Sequence, residues 1–174
     1  MELRPTPDRV RETLFNWLQP VIKGMRCLDL YAGSGALGFE ALSRGATSVT
    51  MVEKNRGNAE TLLKQARTLE AVDVDIVCDD AMHYLASSSA RFDLVFVDPP
   101  YSKNILQSTC ESLLNSGNLR SEALVYVESD GEIASSSAYT VRKRARAGKV
   151  HFMLLGISPG GQPENDNSYL SGHL

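Results

Sequence analysis

The chain lacks several features that would settle its class quickly. No apolar run approaches the roughly 18–20 residues needed to cross a bilayer, and Met1-Glu2-Leu3-Arg4-Pro5 carries no apolar signal core. A protein of the cytoplasm with no membrane partner is therefore expected. Its 3 cysteines cannot all pair, and none lies in a Cys-x-x-Cys or Cys/His cluster. That argues against a disulfide scaffold and a structural zinc site, and no metal is expected. Cys27 and Cys78 fall in apolar runs and read as small core residues. Aromatic residues make up only 7% of the chain. Excess positive charge is also missing: the net charge is −3, so the molecule as a whole is not a cation that clings to nucleic acid.

What is present is ordinary core and clear alternation. With 174 residues and 43% hydrophobic content, the chain suits one domain with a single sizeable core. A first helix is expected from Thr6-Pro7-Asp8, with Thr6 as N-cap, Pro7 in the first helical position and Asp8 complementing the positive helix end. Val10, Leu14, Trp17 and Leu18 then recur at helical spacing. Strands are expected over 26–31, 48–53, 74–78, 92–97 and 123–128, with helices over 36–44, 55–69, 81–86 and 105–114 between them. Segments 139–142 and 150–155 read as a closing strand pair around a basic stretch. The alternation predicts an α/β fold with a mainly parallel sheet and helices on both faces. One domain over residues 1–155 is expected, followed by a polar tail over 156–174. The Pro, Gly and Asn in that tail cannot bury a core, which predicts disorder.

Local charge is more telling than the total. Arg142, Lys143, Arg144, Arg146 and Lys149 crowd one short stretch, and Arg4, Arg9 and Arg11 form a smaller group. Such clusters suit phosphate contacts, although a solvated face gives the same pattern.

Two motifs carry chemistry. The first is Asp29-Leu30-Tyr31-Ala32-Gly33-Ser34-Gly35-Ala36-Leu37-Gly38 at the end of the first expected strand. Gly33, Gly35 and Gly38 satisfy Gly-x-Gly-x-x-Gly between a strand and a helix, and Glu53 ends the next strand. A carboxylate there can accept both hydroxyls of a ribose. Asp29 leans the reading from a dinucleotide toward S-adenosylmethionine: a pyrophosphate gains nothing from a further negative charge, whereas an ammonium group does. Asp29 could instead order the loop as a hydrogen-bond acceptor. Asp79-Asp80-Ala81 ends the third strand. Asp80 and the Ala81 N–H suit an adenine amine and ring nitrogen, though either Asp could be a helix N-cap.

The second motif is Asp98-Pro99-Pro100-Tyr101 after the apolar run 92–97. Chance gives this tetrapeptide in about one chain in a thousand of this length. It stands at a strand's carboxyl end, where open α/β sheets bind ligands. The exocyclic amine of a nucleobase is a poor nucleophile because its lone pair is delocalised into the ring. The Asp98 carboxylate and the Pro99 carbonyl can hold its two hydrogens and favour a more tetrahedral nitrogen. The prolines fix φ, so the turn is ordered in advance. Tyr101 can stack on a flipped-out base.

Together these segments resemble class I S-adenosylmethionine-dependent methyltransferases that act on nucleobase amines. The opening Arg4-Pro5-Thr6-Pro7-Asp8-Arg9-Val10-Arg11-Glu12-Thr13-Leu14-Phe15-Asn16-Trp17-Leu18 and the segment Glu40-Ala41-Leu42-Ser43-Arg44-Gly45-Ala46 narrow the resemblance to the bacterial RsmD family. The resemblance implies a Rossmann-like fold with a seven-stranded sheet and an antiparallel C-terminal strand. It implies methylation of a guanine N2 in 16S rRNA, on the small ribosomal subunit or its assembly intermediate. It also implies S-adenosylmethionine as donor and S-adenosylhomocysteine as product. Carried onto this sequence, it makes Asp29, Ala32, Gly33, Gly35, Glu53, Lys54, Asp80 and Ala81 cofactor contacts, and Asp98, Pro99, Pro100 and Tyr101 the amine and base site. Arg4, Thr6, Arg9 and Arg144 become RNA contacts. Members of the family usually carry a further glycine-rich, basic segment ahead of Arg4-Pro5-Thr6, and this chain starts almost at that motif. A monomer is expected. Competing readings are an adenine-N6 DNA methyltransferase, a nicotinamide-dependent oxidoreductase and a ribosome-assembly module without turnover.

Overall fold

A computed structural model describes residues 7–100, 103–129, 131 and 137–157. Five parallel strands come first: β1 (Arg26–Asp29), β2 (Ser48–Val52), β3 (Val74–Val77), β4 (Phe92–Val97) and β5 (Leu119–Ser129). β6 (Tyr139–Ala147) and β7 (Val150–Ile157) close the sheet in the order β3-β2-β1-β4-β5-β7-β6. β7 is antiparallel to both neighbours, so β6 again points along β5. The expected class holds: a mainly parallel seven-stranded sheet with an antiparallel C-terminal strand.

The helices are α1 (Asp8–Leu18), α2 (Ala36–Ser43), α3 (Arg56–Thr68), α4 (Ala81–Ser87) and α5 (Lys103–Asn115). Because side chains alternate across a strand, the sheet builds two cores. One joins Cys27, Met51, Leu94, Phe96 and Tyr126 to apolar residues of α1, α2 and α3. The other joins Leu28, Val95, Val97 and Val127 to residues of α4 and α5. β4 is buried on both sides almost throughout, which is why its sequence reads as a continuous apolar run.

Several local expectations need correction. Pro7 is the N-cap of α1 rather than its first residue, and its carbonyl accepts the Val10 and Arg11 N–H groups. Phe15 belongs to the α1 core face, while Trp17 is only partly buried and stacks on Phe152 at 5.3 Å. Cys78 is not a core residue: it lies just past the edge strand β3 and is exposed, whereas Cys27 is buried. The basic stretch does not lie between the closing strands but forms most of β6. Edge strands tolerate charge on both faces, so the apolar pattern that marks inner strands is missing there. β7 runs through Ile157, because Gly156 and Ile157 still pair with Thr140 and Tyr139. The rest of the expected tail lies outside the described residues, as do Arg4, Thr6 and Tyr101. Among the described residues no helix is long and apolar enough to cross a membrane.

Candidate active site

The parallel strands bring their carboxyl ends to one edge of the sheet, and an acid stands at each end: Asp29, Glu53, Asp79-Asp80, Asp98 and Glu128. β1 lies between β2 and β4, so the glycine loop after β1 is flanked by Glu53 on one side and the Asp98 turn on the other. This is the position where ligands bind to open α/β sheets.

The loop is built from three glycines with separate jobs. Gly33 has φ 54° and its N–H donates to Glu53 Oε2 at 2.9 Å. Gly35 has φ 78° and is the N-cap of α2. A Cβ there would lie 2.6 Å from Leu62 Cδ2 and 2.7 Å from Phe39 Cε2. Gly38 lets α2 sit tightly on β2, since its Cβ would meet Met51 Cε at 2.5 Å. Gly35→Ala is therefore expected to lower unfolding stability by about 1–3 kcal/mol beyond the left-handed backbone cost. Gly117→Ala is the control: it shares a positive φ of 77° but faces open space. Urea unfolding of the two variants separates clash from backbone cost, and equal losses would refute the packing argument.

Glu53 is 9% exposed, and both of its oxygens are engaged. Oε2 holds Gly33 and Oε1 accepts the Asn55 N–H at 2.7 Å. A carboxylate offers about four acceptor positions, so each oxygen keeps one for a vicinal diol. The Glu53 bond also ties the glycine loop to the end of β2. Ala32 does the same through its N–H to the Val52 carbonyl at 2.9 Å. Lys54 is exposed beside them.

Asp29 is 3% exposed, and its Oδ2 accepts the Gly38 N–H at 3.1 Å. Gly38 is the third residue of α2, whose first N–H groups have no partner within the helix. Gly35 has no side chain to cap them, so Asp29 serves as a remote cap. Burial pushes the Asp29 carboxyl up to about 7, opposed by the Gly38 N–H, reinforced by the negative Glu53, and opposed by the Tyr31 N–H. Asp29 thus orders the loop, and its carboxylate lies beside the glycine turn.

Asp80 Oδ1 caps α4, accepting from the Met82 and His83 N–H groups at 2.9 and 3.3 Å. Ala81 begins that helix and is buried. Asp79 is committed to His83, with 2.7 Å between Oδ2 and Nδ1. That bond lowers the Asp79 carboxyl and raises the His83 imidazole.

Asp98 and Pro99 are half-buried and Pro100 is exposed at the end of β4. The register pairs Val97 with Val127, which sets Asp98 beside Glu128 on neighbouring strands and on the same face. Sequence reading passed over Glu128 and Tyr126. The Tyr126 hydroxyl donates to Glu128 Oε1 at 2.6 Å, and its ring meets Phe96 edge-on at 6.2 Å. Burial drives the Tyr126 hydroxyl far above its ordinary range, helped by Glu128 and Asp98, so it stays a neutral donor. Tyr31 was also missed: its hydroxyl shares a 2.5 Å hydrogen bond with Thr109 on α5, linking the glycine loop to the helix that follows the Asp98 turn. Arg9 is exposed in the first turn of α1, and Arg144 is exposed on β6, so neither lies on the loop itself.

Comparisons with known proteins bear on the chain as a whole. A family model described as conserved hypothetical protein 95 matches residues 1–156. Ribosomal RNA small subunit methyltransferase D of Escherichia coli K12 is 43% identical over 167 residues, covering 94% of this chain and 84% of that protein. The Haemophilus influenzae protein of the same name is 39% identical over 158 residues, covering 87% of this chain and 82% of its own. A solved Escherichia coli structure, proposed to be a methyltransferase, superposes with a TM-score of 0.84 at 42% identity, covering 90% of this chain and 89% of that one. A methylase candidate from Haemophilus influenzae gives 0.79 at 37% identity, covering 89% of this chain and 100% of that one. The sheet order, the glycine loop and these matches place the chain in one family: it belongs to the RsmD family of methyltransferases, which the matching model describes as conserved hypothetical protein 95.

Proposed function

We propose that this protein transfers a methyl group from S-adenosylmethionine to the exocyclic N2 of a guanine in 16S rRNA. The substrate is the small ribosomal subunit or its assembly intermediate, met by a monomer in the cytoplasm. The observation that carries this reading is the adjacency of the two motifs. β4 pairs directly with β1, so the Asp98-Pro99 turn stands next to the Gly33–Gly35 loop. A nucleobase amine held at one faces a donor held at the other.

The residues fit the donor. Glu53 has acceptor positions for the ribose diol, Asp29 offers a carboxylate to the ammonium, and Gly33 and Gly35 give the loop its left-handed turn without a side chain at either position. Ala32 and Lys54 flank that loop, and Asp80 Oδ2 with the Ala81 N–H suits the adenine edge. When bound, S-adenosylmethionine supplies a methyl already activated on a sulfonium and leaves as S-adenosylhomocysteine. No covalent enzyme intermediate is needed. The Asp98 carboxylate and the Pro99 carbonyl accept the two amine hydrogens and aim the nitrogen lone pair. Asp98 also stabilises the positive charge that develops on nitrogen before a proton leaves. Pro100 stiffens the turn, and Tyr101 stacks on the base. Arg4, Thr6 and Arg9 near the start of the chain, and Arg144 on β6, contact RNA.

The deciding assay is transfer of labelled methyl to small subunits lacking native methylation, beside free 16S rRNA and duplex DNA. Label on guanine N2 of the particles is the expected result. Label on DNA alone, or none on any RNA despite measurable cofactor binding, would make the ribosomal assignment wrong.

A further inference from the structure

The segment 139–157 contains five cations and a histidine but no Asp or Glu, in a chain whose net charge is −3. Arg142, Lys143, Arg144, Arg146 and Lys149 are all exposed. Two of them, Arg144 and Arg146, share one face of β6, and the register sets them opposite Met153 and His151 of β7. These four side chains and Ala145 line a cavity of about 240 Å³. The Arg146 guanidinium is steadied by its Nε–H donating to the Gly148 carbonyl at 2.6 Å.

The sheet register fixes where this cavity lies. Ser129 pairs with His151, and His151 with Arg146, while Glu128, Phe152 and Ala145 form the row behind. Asp98 follows Val97, the partner of Val127, so it stands in the Glu128 row on the face of Phe96 and Tyr126, whereas Arg144 and Arg146 stand on the face of Val97 and Val127; a strand joining the two sites passes over this edge of the sheet. β6 is three strands from β4, a lateral step of about 14 Å at the usual strand spacing. The hairpin tip with Lys149 projects past that row at the same edge as the active site. An extended single strand of RNA with one base at Asp98 would cross this distance within a few nucleotides.

We propose that the Arg144–Arg146–His151 cavity is a phosphate subsite that grips the RNA backbone beside the flipped guanine, with Lys149 extending it at the hairpin tip. The inference rests on the RNA methyltransferase reading. The guanidinium forks supply bidentate phosphate contacts, and His151 adds a ring N–H donor. Apolar Met153 and Ala145 complete the lining, so the cavity holds the backbone without reading sequence.

The test compares the Arg144→Gln/Arg146→Gln double variant with Lys64→Gln/Arg67→Gln on the exposed face of α3. Both remove two positive charges, but α3 connects β2 to β3, on the far side of the sheet from β6. Small-subunit binding is measured against salt, with S-adenosylhomocysteine binding and thermal melting as folding checks. The β6 variant is expected to lose about tenfold in particle affinity and to flatten the log–log salt slope by about 1.5. KM for particles should rise, kcat at saturation should stay near wild type, and cofactor affinity should not change. The α3 variant should keep the wild-type slope. Equal slopes in the two variants would overturn the subsite while leaving the methyltransferase reading intact. Wild-type protein that neither binds nor labels particles would overturn both.

Discussion

Asp98→Ala is expected to lower kcat for methyl transfer by about 10²–10³-fold while S-adenosylhomocysteine still binds within a few-fold of wild type. The separation follows from the layout of the edge. The glycine loop, Glu53 and Asp29 belong to β1, β2 and α2, and the bonds from Glu53 to Gly33 and Asn55 and from Asp29 to Gly38 join those elements to one another. Asp98 stands at the end of β4, on the face shared with Phe96 and alongside Glu128. Removing its carboxylate leaves the Pro99 carbonyl as one acceptor for an amine with two hydrogens, so the lone pair is no longer aimed. It also removes the negative charge that offsets the cationic nitrogen. Asp98→Asn keeps an acceptor but not the charge, and should fall between alanine and wild type. Single-turnover transfer with saturating cofactor measures the step directly. An alanine variant that loses cofactor binding and turnover together would show that Asp98 acts by ordering the site rather than at the amine.

Much of this edge was legible in the sequence because it is written locally. The strand–loop–helix at Asp29–Gly38 needs its glycines at fixed offsets, for a left-handed turn at Gly33 and Gly35 and for close packing at Gly38. The apolar run ahead of Asp98 is continuous because β4 is covered on both faces. What escaped depends on contacts between strands distant in sequence. Glu128 looks like a strand-terminal surface acid until the β4–β5 register sets it beside Asp98. The role of Asp29 as cap for α2 appears only once Gly38 is seen to lack a nearer partner side chain. β6 hid for the opposite reason: its charges follow no strand period, since an edge strand on a half-covered sheet has little apolar surface to bury. Cys78 misled because β3 is also an edge strand, only partly covered along its length.

Asp29→Asn is expected to make the protein more stable at pH 8 and a poorer binder of its cofactor. The asparagine carbonyl still accepts from the Gly38 N–H, so the cap on α2 survives. What changes is ionisation. The folded carboxyl titrates at about 7, against 3.8 in an exposed chain, chiefly because it is buried. A raised folded value means that folding takes up a proton between these limits. The stability Asp29 contributes is therefore complete below pH 3.8 and is lost as pH rises through about 7. Above that, wild type carries a buried negative charge that Asn lacks, a difference on the order of a few kcal/mol. The advantage of the variant should grow across this window and level off above it, as thermal melts at successive pH values would show. Binding runs the other way. An ammonium beside an ionised Asp29 gains a charge-assisted contact of about 1.5–3 kcal/mol, so the variant should bind S-adenosylhomocysteine roughly ten- to a hundredfold more weakly. Wild-type affinity should also strengthen as pH rises through about 7, while the variant's profile stays flatter by that one ionisation. Calorimetric titration of both proteins across the window measures this. A variant that binds with the wild-type pH profile and gains no stability at pH 8 would reduce Asp29 to a helix cap. The opposite result would mean that the fold carries an unfavourable buried carboxylate because the ligand's cation needs it.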